Sequence, residues 1–87
     1  MSWLLPQTAT RTNATELLRQ GLEKLEKNEQ VFDGAALQEF DSTILAVMLA
    51  WQRAAQARHT NVIFQNLPTK LADLSQVYGV ADILGSV

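Results

Sequence analysis

The residues of this chain best suited to chemistry are Asp41, Ser42 and Thr43, which directly precede an apolar run from Ile44 to Trp51. This order predicts two hydroxyl groups at the N-terminal end of a helix. Unpaired backbone N–H groups and the positive end of the helix dipole meet there, so a hydroxyl can cap the helix and a phosphate on it would be stabilised. The Asp-Ser-Thr segment, called the elbow below, is therefore a candidate regulatory site.

Each residue of the elbow has a structural interpretation beside the functional one. Ser42 is expected to cap the helix with help from Thr43, unless its hydroxyl is used for regulation. Asp41 is expected to fix the elbow by accepting backbone N–H bonds, with contact to a cation of a partner as the alternative. Asp33, which precedes a glycine, is expected to be a turn residue rather than a site.

Composition predicts one domain over residues 1–87, because 47% hydrophobic and 18% charged residues are ordinary for a single compact unit of this length. A domain this small buries only about 60 to 65% of its unfolded surface, so its stability should be marginal. Partner binding would cover leftover apolar area, and a homodimer is one form this could take. A net charge of −2 without a basic stripe argues against nucleic acid as a partner.

The residue types also argue against an enzyme. The chain has no cysteine and a single histidine, His59, so a disulfide framework, a thiolate nucleophile and a histidine cluster are excluded. The carboxylates form no convergent pair that the sequence identifies, and no glycine-rich phosphate loop is present. We expect neither catalysis nor a cofactor or metal, and a pocket for a small molecule or nucleotide has no support.

Hydropathy predicts a cytoplasmic protein. The N-terminal segment has no basic region and too short an apolar run for a secretory signal. The longest apolar run, Ile44 to Trp51, has eight residues and cannot span a bilayer. Direct insertion into a membrane is therefore not expected.

Apolar periodicity and helix-end signals predict helices alternating with short strands. The first helix should begin at Asn13, which forms a capping-box pattern with Glu16, and the Asp-Gly pair should end the strand after it. The predicted elements are a helix from 13 to 27, a strand from 30 to 35, a helix from 43 to 58, a strand from 60 to 66, a helix from 68 to 77 or 78, and a last helical turn from 81 to 84.

The second helix carries more apolar residues than one buried face needs. Ile44, Leu45 and Met48 define one face, and Val47 and Trp51 define another. We expect the second face to be partly exposed beside the elbow, with Val47 and Trp51 contacting a partner and Trp51 as its anchor. On that interpretation, Trp51→Glu would weaken binding and leave the fold intact. The alternative is a helix well covered by a small core.

Alternation of strand and helix demands crossover connections, which predicts an α/β two-layer domain with a small mixed sheet and helices packed on it. Partners of such sheets gather at the carboxyl ends of the strands, where the elbow should lie. Twelve residues precede Asn13, so one N-terminal strand at most is expected, within Trp3-Leu4-Leu5. Pro6 has no N–H donor and should confine that strand to a sheet edge or cut it short.

Several of these features occur together in one known family. Asp33 lies eight residues before Asp41, the elbow opens an apolar helix containing Leu45 and Leu49, and the chain continues through Val62-Ile63-Phe64 to Tyr78-Gly79-Val80-Ala81-Asp82-Ile83-Leu84. In this order the chain resembles a STAS domain over about residues 13–84. It departs from the family pattern at Ile44, where a glycine is usual, and in its shortened N-terminal strand region.

The resemblance implies a non-catalytic interaction module. In the family, the hydroxyl residue that follows the second Asp of the motif is phosphorylated in anti-sigma-factor antagonists. In the small subunit of the Mla phospholipid-transport ABC complex, the same position faces the ATPase. That position is Ser42 here. The resemblance therefore implies that the elbow binds and regulates the ATPase subunit of a Mla-like complex. The alternative is an antagonist that binds an anti-sigma serine kinase and is released by phosphorylation of Ser42.

Overall fold

Strands and helices alternate through residues 2–80, which are the residues that the structure, a computed structural model, describes. The strands are β1 (Ser2–Leu4), β2 (Thr8–Ala9), β3 (Val31–Asp33), β4 (Glu39–Phe40) and β5 (Ile63–Gln65), and the helices are α1 (Ala14–Glu26), α2 (Thr43–Ala57) and α3 (Thr69–Val77). The three helices and the strands at β3 and β5 were predicted close to these bounds. The predicted turn at 81–84 lies outside the described residues.

Two small sheets organise the strands. One has the order β1-β3-β5, and the other pairs β2 with β4. Every pairing that the structure describes is parallel, with Trp3 opposite Phe32 and Phe32 opposite Phe64. The α/β class is confirmed, but the sheets are parallel rather than mixed, because a helix lies between the partners of each pair and no hairpin joins them.

The N-terminal segment forms two strands, so the expectation of one strand at most is wrong. Three residues separate β1 from β2, whereas five separate β3 from β4, and the longer segment turns with a hydrogen bond from Leu37 N to Gly34 O of 3.0 Å. Pro6 has no backbone N–H, so it cannot donate a hydrogen bond in the gap between β1 and β2. Contact between the two segments resumes where Gln38 N donates to Gln7 O at 2.8 Å. As predicted, β1 is an edge strand.

An aromatic cluster forms the centre of the core. Phe32 of β3 makes edge-to-face contacts with Trp3 and Trp51, at centroid distances of 5.0 and 5.1 Å, and with Phe64 at 6.1 Å. Such geometry aligns the positive ring edge with the negative ring face, which adds to the stabilisation from burial. Because Trp51 belongs to α2 and the other three rings belong to the strands, this cluster packs α2 onto the three-stranded sheet.

Gly21 brings α1 and α2 close together. A Cβ atom at this position would overlap the indole ring of Trp51, so any side chain there would push the helices apart. The indole N–H of Trp51 donates to Leu18 O at 3.0 Å, which satisfies its polar atom inside the core. The position of Trp51 is thus set by a residue thirty positions away on another helix.

Gln52 connects α2 to the start of β5. Its side chain is almost fully buried, at 4% exposure. Its amide accepts a hydrogen bond from Val62 N at 2.8 Å and donates one to Val62 O at 3.2 Å. One side chain therefore satisfies both backbone polar groups of a buried residue, in the way that a neighbouring strand would.

Asn13 stands at the start of α1 but does not cap it. Its side chain accepts a hydrogen bond from Thr10 N at 2.9 Å and donates one to Thr8 O at 2.8 Å, and it makes no bond to the helix N–H groups. The capping-box interpretation is therefore wrong, because the preceding turn offers Asn13 other partners. Asn13 instead holds the turn between β2 and α1 in a fixed shape.

Candidate functional site

The elbow is built around Asp41, which follows β4 directly. Asp41 Oδ1 accepts a hydrogen bond from Thr43 N at 2.9 Å, and the carbonyl oxygen of Asp41 accepts one from Ile44 N at 3.2 Å. Ser42 already has helical dihedral angles, with φ −63° and ψ −15°. Asp41 therefore caps α2, and Ser42 belongs to its first turn.

The same carboxylate joins the elbow to a second loop. Asp41 Oδ2 accepts a hydrogen bond from Arg11 N at 3.2 Å, in the turn between β2 and α1. The backbone N–H of Arg11 is the main cause that lowers the pKa of Asp41, and hydrogen bonds from Thr43 act in the same direction. This confirms the expectation that Asp41 fixes the elbow by accepting backbone N–H bonds.

Ser42 is exposed and makes no capping hydrogen bond. The expectation that its hydroxyl caps α2 is therefore wrong, because Asp41 takes that role one position earlier. Thr43 is half-buried beside it. The Ser42 hydroxyl in the first turn of α2 therefore has no hydrogen-bond partner within residues 2–80, and it stands on a backbone that Asp41 holds in place.

Val47 and Trp51 do not lie on the surface. Val47 is 5% exposed and Trp51 is 0% exposed, since both point into the core from the same side of α2 as Met48. The expectation of an exposed Val47 and Trp51 face, with Trp51 as anchor, is wrong. The slot left by Gly21 and the contact with Phe32 draw the indole inward.

The exposed side of α2 instead continues from Ser42. Helical spacing places Ala46, Ala50 and Arg53 on this side, where Ala46 and Arg53 are exposed and Ala50 is half-buried. We call this set, Ser42, Ala46, Ala50 and Arg53, the docking face. Sequence reasoning missed it, although the regular recurrence of small residues on the stripe that contains Ser42 was a visible signal.

A comparison with protein-family models gives one match, to the family described as Mlab, STAS domain, over residues 8–85. The chain belongs to the STAS domain family. The match confirms the resemblance found in the sequence and includes β2, which lies before the region that the motifs covered. No curated protein matches the chain. STAS domains are small interaction and regulatory modules.

Asp33 and Asn66 form the other polar contact at the carboxyl ends of the strands in this STAS domain. Asp33 Oδ1 accepts hydrogen bonds from Ala35 N at 2.9 Å and from Asn66 Nδ2 at 3.1 Å. Asn66 has a positive φ of 55°, which places its side chain in a tight turn after β5. Asp33 therefore acts as a turn residue, as expected, and connects two loops.

Residues 2–80 of the STAS domain show neither a metal-binding cluster nor a membrane-spanning helix. Within that range, no group of three or more His, Cys, Asp or Glu side chains is placed to hold a metal ion. None of the helices described there is long and apolar enough to cross a membrane.

Proposed function

We propose that this STAS domain binds and regulates the ATPase subunit of a Mla-like phospholipid-transport ABC complex in the cytoplasm. The observation that carries the proposal is the exposed hydroxyl of Ser42 at the N-terminal end of the docking face. This hydroxyl is not used to cap α2, because the Asp41 carboxylate does so. The family match to the Mlab type favours an ATPase subunit as the partner.

The shape of the docking face suits a protein partner. Ala46 and Ala50 have short side chains, so another backbone can approach the helix closely. Ser42 offers both a donor and an acceptor at the end of this surface. Because the Asp41 carboxylate holds the elbow on two sides, a partner would meet a surface that is already ordered, which reduces the entropy lost on binding.

The second candidate function is that of an anti-sigma-factor antagonist switched by phosphorylation of Ser42. The exposed hydroxyl favours it, since a kinase can reach it without unfolding the elbow. A phosphate would add about −1.5 to −2 charges, which a helix N-terminus tolerates. The same charge would oppose a partner packed against the docking face, so modification would cause release.

An affinity pull-down from the native lysate tests both functions. The baits are the tagged wild-type domain, Ser42→Asp and Thr69→Asp, and captured proteins are identified by mass spectrometry. Thr69 is an exposed residue in the first turn of α3, so it receives the same charge at an equivalent helix position away from the elbow.

We expect the wild type and Thr69→Asp to capture an ABC ATPase with its permease, and Ser42→Asp to lose them. Adding the purified domain to the isolated ATPase should then change its rate of ATP hydrolysis. Capture of a serine kinase in place of the ATPase would favour the antagonist. Equal capture by all three baits would show that the elbow is not the binding surface.

A further inference from the structure

The charge around the docking face differs in sign from the charge of the whole protein. The chain has a net charge of −2, yet α2 contains no Asp or Glu. Arg53 is exposed at the far end of the docking face, and Arg11 is exposed in the turn that Asp41 joins to the elbow. One exposed cation therefore lies near each end of the docking face, although the domain as a whole is acidic.

These two arginines differ from Arg19 of α1. The Arg19 guanidinium forms ion pairs with Glu16 and Glu23 on its own helix, and these are the salt bridges found within residues 2–80. Neither Arg11 nor Arg53 forms a salt bridge with a carboxylate in that part of the chain. Arg11 also contributes to the lowered pKa of Asp41 through its charge, but Asp41 already accepts two backbone N–H bonds. As far as residues 2–80 are concerned, the guanidinium groups of Arg11 and Arg53 are available to bind a carboxylate of a partner.

Arg11 and Arg53 lie near opposite ends of the docking face. Arg53 lies eleven positions after Ser42, which corresponds to about 16 Å along a helix axis. Arg11 is held at the opposite end, because its backbone N–H is bonded to the cap of α2. Arg11 and Arg53 therefore lie at the two ends of the docking face, with small side chains between them.

We propose that Arg11 and Arg53 are specificity-determining contacts, and that the segment bound by the docking face is an acidic segment of the ATPase subunit. This inference rests on the proposed function and adds to it the chemistry of the partner. Each guanidinium presents a planar fork of donors that matches a carboxylate. Charges at the ends of such a surface mainly raise the association rate and reject partners of the wrong sign.

Binding measurements with charge-reversed variants test the inference. The ATPase subunit recovered with the wild-type domain is isolated, and its Kd and association rate are measured for the wild type, Arg11→Glu, Arg53→Glu and Arg58→Glu. Arg58 is an exposed arginine that follows the last turn of the same helix, off the docking face. It therefore controls for the change in net charge, and thermal unfolding checks that each variant is folded.

We expect Arg11→Glu and Arg53→Glu each to bind about tenfold more weakly at low salt, mainly through slower association, and Arg58→Glu to stay within about threefold of the wild type. The differences should shrink in about 0.5 M NaCl, because salt screens exposed charges. Arg53→Gln, which removes the charge without reversing it, should give an intermediate Kd.

Three outcomes would overturn the inference, and they can be distinguished from one another. In the first, the ATPase binds the wild type and the three arginine variants equally but does not bind Ser42→Asp. The proposed function then stands, and the inference that the bound segment is acidic is refuted. If the wild type binds no ATPase, both fail together. Equal weakening by Arg58→Glu would also refute the inference, since the effect would then follow net charge rather than the docking face.

Discussion

The two sides of α2 show how one helix can be divided between stability and recognition. On one side, Trp51 is fully buried, fills the slot at Gly21 and contacts Phe32. On the other side, Ser42 and Arg53 are exposed and the residues between them are small. The large side chains are used inside the fold, and the outer side is left flat and polar at its ends.

This division predicts opposite effects of mutation on the two sides. Substitutions on the inner side should lower the free energy of unfolding and change binding only through loss of fold. Substitutions on the docking face should change binding and leave unfolding almost unaffected. Four variants, taken from the largest expected change in stability to the smallest, test whether the boundary lies where the structure places it.

Trp51→Ala should give the largest loss of stability. Removing a fully buried indole deletes the ring by which α2 contacts the aromatic cluster and leaves a cavity, which costs about 3 to 5 kcal/mol. Urea denaturation followed by circular dichroism measures this. Arg53→Ala, an exposed change on the docking face, is the control and should stay within about 0.5 kcal/mol of the wild type. Similar values for the two variants would contradict the division of the helix. Trp51→Glu should prevent stable folding.

Gln52→Leu should be the next most destabilising change. The leucine keeps the approximate size of the side chain but leaves both backbone polar groups of Val62 without their partner, at a cost of about 2 to 4 kcal/mol. Gln56→Leu, an exposed change on the same helix, should stay within about 0.5 kcal/mol of the wild type. Equal stability of both variants would mean that the paired amide contributes nothing.

Asp41→Asn should have a smaller effect on stability, and it should be visible in the pH dependence. The pKa of Asp41 is lowered in the folded state from its ordinary value near 3.8, so the ionised carboxylate stabilises the fold above that pH. This contribution is lost as the pH falls through the folded pKa, on the acid side of about pH 4. Urea midpoints measured between neutral and acid pH should fall more steeply for the wild type than for Asp41→Asn. Parallel curves would contradict the assignment of the cap.

Ser42→Ala should leave the free energy of unfolding within about 0.5 kcal/mol of the wild type, because the hydroxyl makes no capping bond. Binding of the partner ATPase should nevertheless weaken, since the alanine can neither donate nor accept a hydrogen bond at the elbow. Denaturation and affinity measurements on the same preparation separate the two effects. A loss of about 1 kcal/mol in stability would instead restore Ser42 as the cap.

Local signals were sufficient to place most of the fold. The apolar spacing of Leu17, Leu18, Leu22 and Leu25 predicted α1, and Gly79, which has a positive φ of 71°, follows the end of α3 as expected. These signals act within a few residues, so the sequence alone contains them. β2 was missed because two residues carry no periodicity, and its pairing depends on Glu39 and Phe40, thirty-one positions away.

The orientation of α2 depends on a distant residue in a similar way. Its apolar residues surround much of the helix, so periodicity alone cannot tell which side is buried. Gly21 decides this, because only the residue without a side chain leaves room for an indole between the helices. The cap was misassigned for a related reason, since both Asp41 and Ser42 suit that position by type. The Asp41 carboxylate also accepts a hydrogen bond from Arg11 N, which lies in a loop thirty residues earlier, and the local sequence gives no sign of this contact.

The placement of the two tryptophans has a spectroscopic consequence. Trp3 and Trp51 are in edge-to-face contact at 5.6 Å, and both belong to the core cluster rather than to the docking face. Their ultraviolet transitions should therefore couple and give a strong near-ultraviolet circular dichroism signal that disappears on unfolding. Because Trp51 is fully buried, the indole emission of each variant, recorded before a partner is added, should also report whether the fold is intact.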